Sequence, residues 1–128
     1  MKGHWLLIPL AGLLLAGCAS VHVVQSLNDQ KLTSTGEDPV AHLNGDNFGY
    51  YLFGVVPLIA GDPADTNSFT LFKNTVTENA VVDMVTKKSK ELGATKTTDL
   101  VSRTDSTGLQ TLFTVWYRSV QVSGNAVK

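Results

Sequence analysis

One stretch of helical periodicity stands in a chain otherwise written for strands. Thr75-Val76-Thr77-Glu78 matches a capping box, in which the Thr75 hydroxyl accepts from a backbone N–H and Glu78 reaches back. Val81, Val82, Met84, Val85 and Leu92 then recur at spacings that place them on one face. Asn79, Asp83, Lys87 and Lys90 fall on the other, with Asp83 and Lys87 as an i,i+4 pair in the favoured order. Gly93 supplies the C-terminal stop. The pattern predicts a helix over residues 76–92. A lone helix with one apolar stripe must bury that stripe against a sheet, so the helix constrains everything around it.

The flanking sequence supplies the strands. Residues 40–43 read as a short strand and Asn44-Gly45-Asp46-Asn47 as a turn, because Asn-Gly tolerates positive φ. Residues 48–59 are the most apolar stretch beyond the N-terminal run and do not alternate, as in a strand covered on both faces. Pro57 should end its ladder pairing. Residues 61–68 read as a loop and 69–72 as a lid or short turn onto the core. After the helix, 95–104 and 109–122 read as strands joined by a turn at Asp105-Ser106-Thr107-Gly108. In the second, Leu112, Trp116, Val120 and Val122 share one face, and Leu109, Phe113, Val115 and Tyr117 the other. Residues 123–128 read as a polar tail. The expectation is a small α+β domain, β-β-α-β-β, with one helix on a largely antiparallel sheet of about four strands.

The N-terminal segment has a different character. Met1 and Lys2 precede an apolar run of about a dozen residues, within the range of a signal h-region and short of a spanning helix. The run ends in Leu15-Ala16-Gly17-Cys18, which holds the single cysteine of the chain. This resembles the lipobox of bacterial lipoproteins at all four positions. The resemblance implies that residues 1–17 are removed by cleavage between Gly17 and Cys18. It also implies that Cys18 carries a diacylglyceryl group on sulfur and an acyl group on its new amino terminus. Ala19, where Asp would signal inner-membrane retention, implies the periplasmic face of an outer membrane. Residues 18–38 read as the lipidated cysteine and a polar tether, although Val21-His22-Val23-Val24 could add a strand; residues 39–128 read as the domain. The run over residues 49–58, with Leu92-Gly93-Ala94-Thr95, resembles a group of small bacterial lipoproteins without an established activity.

Charge excludes some partners. Ten basic residues face eleven acidic ones, for a net charge of −1. Without Lys2 the balance is nine against eleven, or −2. No basic patch points to nucleic acid.

Catalytic patterns are equally sparse. His22 and His42 lack further donors at metal-ligand spacing, so no metal site is expected. Asp62, Asp65 and Asn67 lack the spacing and closing Glu of a calcium loop. No Gly-x-Ser-x-Gly elbow occurs. Asp99 and Arg103 share a face by period-two counting, which suits an exposed ion pair. The aromatic positions remain, as core, interface or apolar pocket. Tyr50, Tyr51, Phe53, Phe113, Trp116 and Tyr117 are the candidate interface residues, since Tyr and Trp are enriched at interfaces. The sequence thus reads as a non-enzymatic, lipid-anchored envelope protein without cofactor. Its expected partners are the membrane through its anchor and either a second copy or another envelope protein. The alternative is a periplasmic carrier or sensor of a small apolar ligand or lipid.

Overall fold

The structure is a computed structural model that describes residues 18–27, 30–31, 36–108 and 114–128. The strands are β1 (Ala19–Val24), β2 (Ser26–Leu27), β3 (Gln30–Lys31), β4 (Pro39–Leu52), β5 (Val56–Gly61), β6 (Phe69–Leu71), β7 (Lys96–Gly108) and β8 (Val115–Val127). One helix, α1 (Glu78–Glu91), stands between β6 and β7. Six strands form an antiparallel sheet in the order β6-β5-β4-β8-β7, with β1 also paired to β4, and β2 and β3 pair separately. The α+β character expected from the sequence is present. The strand count and order are not those of β-β-α-β-β.

The 14-residue β4 is the spine of the sheet. Along one edge it pairs with β8 from Pro39 to Leu52. Along the other, β1 takes residues 42–47 and β5 takes residues 49–52. Its odd positions, Ala41, Leu43, Gly45, Asn47, Gly49 and Tyr51, are all buried. They face α1, whose Val81, Met84 and Val85 are buried against them. Val120, Val122 and Ala126 of β8 complete this inner layer.

The Asn44-Gly45-Asp46-Asn47 cluster, expected to turn the chain, runs straight through the middle of β4. Each of its residues serves the strand in alternation. A Cβ on Gly45 would lie 2.5 Å from Cγ2 of Val85, so glycine lets the helix sit against the sheet. Asp46 points outward and accepts from the Ser20 hydroxyl at 2.6 Å. Asn47 points inward and donates through Nδ2 to the carbonyls of Thr75 (2.8 Å) and Gly61 (3.4 Å). The real turn falls at residues 53–55, where Phe53 and Gly54 have positive φ of 52° and 74°. Pro57 does not end the pairing: it lies opposite Tyr51, at a register shift that leaves Leu58 as the extra residue.

The helix begins two residues later than the sequence suggests. Thr77 is the N-cap and accepts from the Ala80 N–H, while the Thr75 hydroxyl donates to the Gly61 carbonyl at 2.7 Å. Glu78 is the first helical residue and accepts from Ser102 rather than closing a capping box. Leu92 is the C-cap and Gly93 takes φ 82°, as a helix stop requires. The ion pair on the helix is Lys88–Glu91 at 3.1 Å rather than Asp83–Lys87.

Four further expectations change. Asp105-Ser106-Thr107-Gly108 continues β7 instead of turning. Residues 123–127 extend β8, with Gly124, Ala126 and Val127 buried between β4 and β7, and are no tail. Ala19–Val24, expected within a tether, pair with β4 in register from Ala19 opposite Asn47 to Val24 opposite His42. Residues 69–71 form the edge strand β6 and leave the sheet's outer face open.

Candidate functional site

Strand alternation gives the outer face a sharp division. Along β4 it displays His42, Asn44 and Asp46, then Phe48, Tyr50 and Leu52. Opposite them on β8 stand Asn125, Ser123 and Gln121, then Ser119, Tyr117 and Val115. The first half is polar. His42 Nδ1 and Asn125 Oδ1 lie 2.8 Å apart, and Asn125 Nδ2 donates to Asp99 at 3.0 Å. Asp99 occupies a bulge with φ 53°, so its carboxylate goes to Asn125 while Arg103 pairs with Asp105 at 2.8 Å. The Asp99–Arg103 pair read from period-two counting is therefore replaced. His42 is a cross-strand partner, as a strand histidine should be.

The second half is apolar. The rings of Phe48, Tyr50 and Tyr117 meet with centroids 5.5 to 6.4 Å apart. One row runs Leu71, Ile59, Tyr50, Tyr117 across β6, β5, β4 and β8. Phe69, opposite Gly61, and Val56, opposite Leu52, extend it. Phe69, Leu71 and Val56 are exposed, as are Phe53, Val55 and Phe72 around the rim.

The candidate interface residues do not form one surface. Tyr50 and Tyr117 lie on the outer face. Tyr51 and Trp116 oppose one another on the inner face. Tyr51 is 1% exposed: its hydroxyl donates to Asn74 Oδ1 at 2.7 Å and its ring lies 4.7 Å under the Arg118 guanidinium. Desolvation pushes its phenol above the usual value, with Arg118 opposing. It is a core residue, and a one-residue step in a strand is the reason. Trp116 covers Gly54 and Gly108. Phe53 is exposed in the β4–β5 turn. Phe113, Leu15, Ala16 and Gly17 lie outside the described residues. Ile59, Phe69 and Leu71 belong to this surface as well, through a sheet pairing of β5 and β6 beside Tyr50 that no local pattern announces.

Cys18 stands where the two halves meet. Its carbonyl accepts from the Phe48 N–H at 2.9 Å. A Cβ on Gly61 would lie 2.5 Å from the Cys18 carbonyl carbon and 2.6 Å from the Ala19 nitrogen, so β5 needs glycine for the approach. Cys18 is 4% exposed, and burial raises its thiol pKa.

Two grooves flank α1, of about 230 Å³ and 380 Å³. Charged side chains line both: Asp65, Lys87 and Glu91 in the first, Asp62, Lys73 and Asp83 in the second. Among the described residues no three His, Cys, Asp or Glu gather as a metal site, and no helix is long and apolar enough to cross a membrane. Comparison of the chain with family models, curated proteins and solved structures found no match.

Proposed function

We propose that this chain is a lipid-anchored cell-envelope protein of non-enzymatic, interaction type. Cleavage before Cys18 and acylation of that residue would hold it at the periplasmic face of an outer membrane. The observation that carries this reading is Leu15-Ala16-Gly17-Cys18 at the end of a short apolar run. A thiol is required at Cys18 because it forms the thioether to the diacylglyceryl group, and small residues at Ala16 and Gly17 admit a peptidase. One acyl chain gives only marginal binding, whereas several on one residue make a lasting anchor. The apolar half of the outer face supports an interaction role, since a contiguous exposed patch of this kind marks a contact surface. The carrier alternative is weaker, because the grooves beside α1 are lined by charges. The test is Cys18→Ser in a cell with an outer membrane. Acyl mass should vanish and processing at Gly17 should stop; normal cleavage and membrane retention would overturn the reading.

A further inference from the structure

We infer that the apolar half of the outer face rests on the lipid bilayer, as a second membrane contact beside the anchor. This rests on the acylation of Cys18 proposed above. A lipoprotein with a tether can stand away from the membrane, but here the residue next to the attachment point, Ala19, is already paired to Asn47 in β1. Cys18 is 4% exposed in the unprocessed chain, so acylation has to bring its side chain out of that burial, and the acyl groups then leave the protein at the sheet itself. Cys18 is bonded to Phe48 and stands against Gly61, and Phe69 is the cross-strand partner of Gly61. Strands are spaced about 4.8 Å apart, so Phe69 lies roughly 10 Å from the attachment point. Lipid held that close is within reach of the Phe48, Tyr50, Tyr117, Ile59, Phe69 and Leu71 surface.

Two observations favour lipid over a second copy of the chain. A covalent link presents the bilayer to the patch at all times, whereas a second anchored copy has to be met by diffusion in the membrane plane. The chemistry also suits the interfacial layer, where Tyr and Trp rings sit at headgroup depth. The rows through Phe48 and Tyr50 carry no charge on β4, β5, β6 or β8; the Phe48 row meets a charge only at Asp105 on β7, which is paired with Arg103. Asp65 lines the groove against α1, on the inner side. Asp46, His22 and His42, on the polar half, would stand in water.

The test uses the processed, acylated protein with Trp116→Phe, reconstituted in phosphatidylcholine vesicles bearing brominated acyl chains. Processing removes Trp5, so one introduced tryptophan reports alone. Phe69→Trp should lose emission to shallow bromines and shift to the blue, while His22→Trp should be unaffected. Leu71→Trp, at a more exposed site, repeats the measurement should Phe69→Trp disturb the fold. Unquenched emission from both patch positions in protein that still floats with vesicles would overturn the inference and leave the anchor intact. So would crosslinking of position 69 to position 69 of another copy. Absence of acyl mass on Cys18 would overturn the anchor, and this inference with it.

Discussion

A single Cβ at position 45 would strike Val85 at 2.5 Å, with Met84 and Val81 at 3.3 Å. Gly45→Ala therefore overpacks the helix–sheet seam, and denaturant titration should show a loss of about 1–3 kcal/mol. Asn47 is the buried polar counterpart. Its amide nitrogen serves the Thr75 and Gly61 carbonyls, while its Oδ1 has no hydrogen-bond partner. Asn47→Ala strips the donor from the Thr75 carbonyl, and the same titration should register about 1–3 kcal/mol. Cys18 and Tyr51 both have folded pKa values raised by burial, from ordinary values of 9.0 and 10.0. The unfolded chain then loses these protons first as pH rises. Their contribution to stability is complete below pH 9 and is lost on alkaline titration. In the unprocessed full-length chain, alkylation of Cys18 should be slow at neutral pH and should accelerate in denaturant. An alkylation rate equal to that of the unfolded chain would contradict its burial.

The elements divide by how much of their cause is local. The helix is legible because its spacing, its N-terminal threonines and Gly93 all act within a turn or two. Even so, which threonine caps was decided elsewhere: Gly61 takes the Thr75 hydroxyl, and Thr77 is left to bond Ala80. Thr77→Ala should cost about 1 kcal/mol, read as a lowered midpoint of helix loss by circular dichroism. The long strands are less legible. Asn-Gly reads as a turn in a bare sequence, yet here Gly45 lies under Val85 and Asn47 bonds segments 14 and 28 residues away. Gly108 likewise gives room to Trp116 instead of turning the chain. Gly124 faces Leu100 and Thr97 of β7, so residues that look like a polar tail form part of an interior strand, paired on both sides.

In the whole molecule, β1 is the feature with most consequence, because under the proposed anchor it brings the attachment point to the edge of β4. Amide hydrogen exchange of the folded chain should show protection in Ala19–Val24 comparable with that of other edge strands. Exchange at the rate of an unstructured segment would restore the tether and weaken the case for bilayer contact. The candidate site is half legible in the sequence: Tyr50 and Tyr117 stand out as aromatic, but so do Tyr51 and Trp116, because neighbouring residues look alike before a register exists. Phe69 and Leu71 belong to the same surface through β5, across sequence separations that no periodicity links.

By itself the sequence determined the helix α1, its buried stripe and the α+β class, because each depends on residues within a few positions of one another. The tertiary structure decided the length of β4, the place of β1 and the split of the outer face into polar and aromatic halves. Those depend on which strand lies beside which, and a one-residue change of register would send every side chain to the opposite face.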